Sequence, residues 1–262
     1  MLTELDSELL LVKNLRLVSE NNNTAFEDVR LFSAGQRLLA FYTYLPQDDA
    51  GGWKWEYGVG VGFVNVNSGL ITGQQSLRGF SKRMHEKNWC PYIVEDEIFL
   101  ITDFDPYVRI LKLGKLDGEI MPEEIYQSNI RTFGWKYGEL RGGTPLLQGP
   151  QIDDGWRYGF IHSFLPSYQG YVRYYFYTAV RFNHFTHQVE YHPEPMEFDY
   201  NTSGSVYQEL WWYSNHKTLK VIFPIGIMPH QDGVLVSFGV DDVTSVTQYY
   251  TWKYLFGLFV KL

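Results

Sequence analysis

The chain has one cysteine, Cys90, in 262 residues, which excludes an internal disulfide and any cysteine-rich zinc site. A long apolar run is missing as well. The most hydrophobic stretch, residues 249–262, carries two lysines and falls short of the roughly 20 apolar residues that a bilayer span requires. Residues 1–12 place acids ahead of a short apolar run, whereas a secretory signal needs a basic start and a longer apolar core. Positive charge is scarce: 22 Lys and Arg face 30 Asp and Glu, a formal net charge of −8. Nucleic-acid binders rest on Lys and Arg, so this balance argues against nucleic acid as a partner and disfavours anionic membrane. Together these absences predict a cytoplasmic protein without a membrane span, in which the sequons at Asn22 and Asn201 stay silent.

Helical periodicity is also nearly absent, and residues 2–12 are the best helix candidate. Aromatic residues, by contrast, are abundant: 8 Trp, 20 Tyr and 18 Phe, or 18% of the chain. They pack β-sheet cores, and their flat rings also serve as platforms for sugar rings. Strand signals run through the chain at residues 29–32, 37–44, 57–66, 91–94, 98–101, 108–111, 156–164, 171–182, 219–227 and 234–238. They come in up-and-down groups divided by turn residues, with no βαβ alternation, which leaves a sandwich, a barrel or a propeller. At about 40–50 residues per blade, the length allows about five blades. No domain boundary is visible, so residues 1–262 read as a single domain and residues 47–52 as a hairpin loop.

Polar clusters recur beside these strands. In Glu27-Asp28-Val29-Arg30, strand alternation sends Asp28 and Arg30 to one face and Glu27 to the other; the plainer reading is a surface ion pair. Lys87-Asn88-Trp89 offers an ammonium, an amide and an indole, which together can hold a sugar or a phosphate. Arg141-Gly142-Gly143 pairs a guanidinium with glycines that let backbone approach a ligand, without the GK[ST] of a P-loop. His162 is a lone polar ring in an apolar strand. His184, His187 and His192 match no zinc spacing and read as a solvated loop, and Cys90 as a small buried hydrophobe. Placed at the inner ends of different blades, the first three clusters and Asp241-Asp242 would converge on one axial pocket.

In that order, Glu27-Asp28-Val29-Arg30-Leu31-Phe32, Glu86-Lys87-Asn88-Trp89-Cys90-Pro91, Arg141-Gly142-Gly143-Thr144-Pro145, Phe160-Ile161-His162-Ser163-Phe164, Tyr174-Tyr175-Phe176-Tyr177 and Val236-Ser237-Phe238-Gly239-Val240-Asp241-Asp242 resemble the five-bladed β-propeller carbohydrate enzymes related to β-mannoside phosphorylases and their glycosyltransferase-like relatives. The family has proline where this chain has Val29, and more sequence ahead of the first motif than the 26 residues found here. The resemblance therefore implies an all-β, five-bladed propeller with an incomplete or atypical first blade. It implies Asp28 as catalytic acid or base. Lys87, Arg141 and His162 would bind a donor phosphate, Asn88, Tyr175, Asp241 and Asp242 would hold sugar hydroxyls, and Arg30 would stand with them as a substrate-binding residue.

The expected function is inverting glycosyl transfer from a sugar-phosphate or nucleotide-sugar donor to an oligosaccharide or glycan acceptor. No cofactor is expected, and a divalent metal enters only with a nucleotide-sugar donor. The alternatives are a glycoside phosphorylase or hydrolase acting on β-linked oligosaccharides, and a non-catalytic glycan-binding propeller.

Overall fold

The computed structural model describes residues 2–5, 11–20, 24–46, 58–80, 87–115, 120–128, 135–150, 154–166, 173–198, 221–240 and 244–259. The 47–52 loop, Asn22, Asn201, Asp241 and Asp242 lie outside the described residues. Strands β1 (Leu2–Leu5) and β2 (Leu11–Leu15) form an antiparallel ribbon. Four larger sheets follow as propeller blades. Blade 1 contains β3 (Val18–Ser19), β4 (Thr24–Ala34), β5 (Arg37–Pro46), β6 (Gly58–Val64) and β7 (Leu70–Ser76). Its order from the inside is β4-β5-β6-β7-β3, with β3 parallel to β7. Blade 2 runs outward through β8 (Cys90–Val94), β9 (Glu97–Asp103), β10 (Arg109–Lys115) and β11 (Glu123–Gln127). Blade 3 comprises β12 (Leu147–Gln148), β13 (Trp156–Pro166), β14 (Arg173–Asn183) and β15 (Val189–Tyr191). Blade 4 has β16 (Ile222–His230), β17 (Gly233–Val240) and β18 (Thr244–Thr251), followed by helix α1 (Trp252–Phe259).

Tight turns join the strands because the sequence places suitable residues at the corners. Gly35 sits at φ 61° between β4 and β5. Asn65 Oδ1 accepts from the backbone N–H groups of Asn67 and Ser68 between β6 and β7, and Asn183 does the same for Phe185 and Thr186 after β14. Such side-chain-to-backbone bonds replace ladder bonds where the chain reverses.

Apolar faces pack between successive blades. Phe32, Phe41 and Val61 of blade 1 meet Trp89, Leu100 and Leu111 of blade 2. Tyr92, Phe99 and Ile101 meet Ile161, Val180 and Phe182 of blade 3. Phe160 and Tyr177 meet Ile222, Val236 and Phe238 of blade 4, and α1 covers that seam with Leu255 and Phe259. The aromatic surplus is thus spent largely between sheets, as rings that each bury a large apolar area. Innermost strand β16 lies against β4 as well as against blade 3.

Two expectations are corrected. The described residues form four blades rather than five, because blade 1 holds five strands over residues 18–76 and so uses more chain than the repeat length assumed. The described residues within 2–12 are strand rather than helix: β1 and β2 pair with Leu2 opposite Leu15 and Glu4 opposite Lys13. An eleven-residue helix is marginal by itself, and pairing of β1 with β2 satisfies backbone groups of both strands.

Candidate functional site

The first element of the site is a break in the β4–β5 ladder. Register holds at Glu27 opposite Thr43 and resumes at Arg30 opposite Phe41, so Asp28 and Val29 together face one residue. Asp28 adopts φ 53°, a left-handed conformation that turns it out of the strand. This bulge overturns the alternation argument, which separated Glu27 from Asp28. Lys87 Nζ lies 3.0 Å from Asp28 Oδ2 and 3.7 Å from Glu27 Oε1, so both acids come to one ammonium. Arg30 instead turns inward and is 2% exposed. Its Nε donates to the Gly143 carbonyl at 2.5 Å and its Nη1 to the Asp28 carbonyl at 2.7 Å.

Lys87 and Asn88 enter from blade 2, just before β8. Burial by itself would pull the Lys87 ammonium down. Asp28, Glu27 and Tyr175 more than offset that, and the net pKa stands above the ordinary lysine value. Asn88 is buried and left-handed, at φ 69°, which brings its amide beside His162: Nδ2 and Nε2 are 3.5 Å apart.

Arg141 and the two glycines come from blade 3. Arg141 and His162 exchange both backbone hydrogen bonds, at 2.7 and 3.1 Å, which fixes the segment against β13. A Cβ on Gly142 would stand 1.6 Å from the Asn88 carbonyl oxygen, and one on Gly143 2.1 Å from that of Phe160. Only glycine permits backbone of blades 2 and 3 to meet this closely. The Gly143 N–H donates to Cys90 Sγ at 3.2 Å. Cys90 is fully buried and its thiol is pushed up to about 11, chiefly by burial, so it matches the expected inert, hydrophobe-like role. The Arg141 guanidinium lies 4.9 Å over the Phe164 ring and 4.0 Å from Glu139.

His162 sits under this arch at 3% exposure. Tyr175 stacks nearly parallel to it, with centroids 6.2 Å apart, and Phe223 of blade 4 lies at the same centroid distance. Burial, then the nearby Arg30 and Arg141, lower its pKa to about 3. The imidazole is therefore neutral at pH 7 and acts as a neutral hydrogen-bonding group rather than as a cation. Arg30 Nη2, Asn88 Oδ1 and His162 Nδ1 are buried with no protein partner among the described residues. Buried polar atoms are costly when unsatisfied, so these three are suited to ordered water or a polar ligand.

Of the residues singled out from sequence, Asp28, Arg30, Lys87, Asn88, Arg141, His162 and Tyr175 come together. Asp241 and Asp242 lie outside the described residues. Blade 4 supplies Phe223, which carried no sequence signal beyond its apolar strand. Glu27 was separated from Asp28 only because a bulge leaves no mark on alternation. His184 and His187 lie, as expected, on the turn after β14, where Phe185, Thr186 and Gln188 are exposed, but both are half-buried against rings: His184 on Tyr92 and Phe99, and His187 on Phe182 and Tyr126. No group of three or more metal-ligating side chains occurs among the described residues, and no helix among them is long and apolar enough to cross a membrane.

Fold and site together define a β-propeller whose first three blades bring two carboxylates, three cations, an amide and a neutral imidazole to one place. No protein-family model matches the chain, and no curated protein matches it in sequence. Solved structures do match in fold. A β-1,2-mannobiose phosphorylase from Listeria innocua, solved with β-1,2-mannobiose, has a TM-score of 0.57 at 11% identity, over 89% of this chain and 60% of that one. A glycosyl hydrolase from Bacteroides ovatus has a TM-score of 0.56 at 14% identity, over 87% and 65%. A GDP-Man-dependent mannosyltransferase from Leishmania mexicana is a looser likeness, with a TM-score of 0.43 at 10% identity over 90% and 89%. The chain spans about 60–65% of the length of the phosphorylase and the hydrolase. The expected resemblance to propeller carbohydrate enzymes is thus met at the level of fold.

Proposed function

We propose that this chain is an inverting glycosyltransferase that moves a sugar from a phosphate-bearing donor to a glycan acceptor, with Asp28 as the base. The observation that carries the reading is the 3.0 Å ion pair of Asp28 with Lys87 in a site shared with Arg141. The acceptor hydroxyl would give its proton to Asp28 as its oxygen bonds to the anomeric carbon. The bond from that carbon to the phosphate oxygen breaks, and the phosphate leaves with the electron pair. Arg141 and Lys87 would take up the departing negative charge through charge-assisted bonds. Asn88 and neutral His162 would hydrogen-bond the sugar or the donor, and Tyr175 would hold a sugar hydroxyl. Asp241 and Asp242 would hold further sugar hydroxyls.

Phosphorolysis is the second reading. It is the reverse of the same steps, with Asp28 starting protonated, and a phosphorylase of β-1,2-mannobiose shares this fold. A thermal-shift panel of nucleotide sugars, sugar 1-phosphates, inorganic phosphate and free sugars tests both readings. Stabilisation by one nucleotide sugar and its nucleotide supports transfer. A response to phosphate or a sugar 1-phosphate alone supports phosphorolysis. A response to free glycan without turnover would make the propeller a binding module, and silence across the panel would contradict the assignment of a donor site.

A further inference from the structure

We infer that Arg30 is a positioning residue: it holds the Asp28 bulge of blade 1 and the Arg141–Gly143 segment of blade 3 in a fixed mutual arrangement. The kinetic consequence of this inference rests on the reading of Asp28 as the reacting carboxylate; the structural consequence does not.

The argument begins with cost. A guanidinium at 2% exposure has lost its hydration, and Arg30 makes no ion pair at salt-bridge distance among the described residues. An apolar side chain of similar length would fill the space without that penalty. What the guanidinium supplies instead is two donors aimed at two backbone carbonyls. One belongs to Asp28, whose left-handed conformation turns its peptide out of the β4–β5 ladder and leaves its carbonyl in need of a donor. The other belongs to Gly143, whose neighbour Gly142 is wedged against the Asn88 backbone. One planar fork therefore spans blade 1 and blade 3, with the carboxylate attached to one anchor and Arg141 two residues from the other. Moving Arg30 would let Asp28 relax toward an ordinary strand conformation and draw its carboxylate off Lys87. Lysine is a poor substitute, because a single ammonium on a flexible stem does not reproduce the planar fork.

A double-mutant cycle tests this. Arg30→Met and Arg30→Lys are each made in the wild-type chain and in Asp28→Gly, Asp28→Asn backgrounds, with the folding equilibrium read by denaturant titration. Glycine adopts the left-handed conformation without strain. If Arg30 is there to hold that conformation, Arg30→Met should lower the folding constant on the order of tenfold less in the Asp28→Gly background than in the wild type. The Asp28→Asn background accounts for the lost charge. Equal losses in all three backgrounds overturn the inference. If the Arg30 variants fold only with Asp28→Gly, the coupling is larger still and the inference stands; if they fold in no background, Arg30 serves the fold regardless of Asp28 and the inference fails.

A crystal structure of Arg30→Lys reads the same point directly. The expected result is a strand-like φ at residue 28 and a Lys87–Asp28 separation beyond 4 Å; an unchanged bulge and ion pair would overturn it. With a donor identified, kcat should fall about 100-fold while KM changes little. Failure of the glycosyl-transfer reading would remove that last readout and leave the cycle and the structure intact.

Discussion

His162 gives a prediction whose size can be worked through. Its folded-state pKa of about 3 lies below the ordinary value of 6.5 because burial and two guanidiniums oppose the imidazolium. Below pH 6.5 the unfolded chain binds a proton at this residue and the folded chain does not, so stability falls as pH drops from 6.5 toward 3. The contribution is RT ln[(1 + 10^(6.5−pH))/(1 + 10^(3−pH))], which comes to about 0.2 kcal/mol at pH 7 and about 2 kcal/mol at pH 5. His162→Gln keeps a polar side chain without a titrating group. Between pH 7 and pH 5 the wild type should therefore lose about 2 kcal/mol more stability than His162→Gln. For a chain of this size that is roughly 4–8 °C in Tm. The depressed pKa values of His184 and His187 act in both proteins and cancel in the difference. Denaturant titrations at half-unit steps of pH would read it. Parallel stability curves for the two proteins would refute the reasoning, because they would mean that His162 protonates in the fold as readily as in the unfolded chain.

Gly142→Ala should cost about 3 kcal/mol or more, because the new Cβ falls on the Asn88 carbonyl, which is backbone and cannot swing aside. A loss under about 1 kcal/mol in chemical denaturation would show that the contact is looser than drawn. Cys90 should resist a thiol reagent at pH 8 in the native protein and react fully once unfolded, since it is buried and its pKa stands at about 11. Prompt native-state labelling would place the thiol at the surface and contradict the packing of blades 2 and 3.

Much of this was open to inspection in the sequence, and the rest was hidden for definable reasons. The apolar runs around Phe99 and Phe160 announced strands because both faces of those strands are buried between blades. The order of the polar motifs pointed to a propeller, and seven of the nine residues singled out do come together. Strand β18 was harder, since polar and apolar residues do not alternate there: its half-buried side holds Val246, Gln248 and Tyr250, and its exposed side Ser245, Thr247 and Tyr249. Helix α1 was missed because Trp252, Phe256 and Phe259 fit strand propensity as well as a helix, and its packing on Tyr158 decides the matter. The Asp28 bulge was invisible for a different reason. A one-residue insertion in the ladder depends on the partner strand and on Arg30, whose bond to Gly143 reaches across 113 positions. Blade count failed because a mean repeat length cannot anticipate a five-stranded first blade.

The central claim is that Asp28 is the proton acceptor in a sugar-transfer reaction. Its most direct measurement compares wild type with Asp28→Asn, following donor binding by calorimetry and product formation with the donor found in the thermal-shift panel. The amide keeps the size and polarity of the side chain but cannot take the acceptor's proton. Turnover should fall by about 10²–10⁴-fold while donor affinity stays within a few-fold. An Asp28→Asn protein that transfers sugar at the wild-type rate would contradict the account.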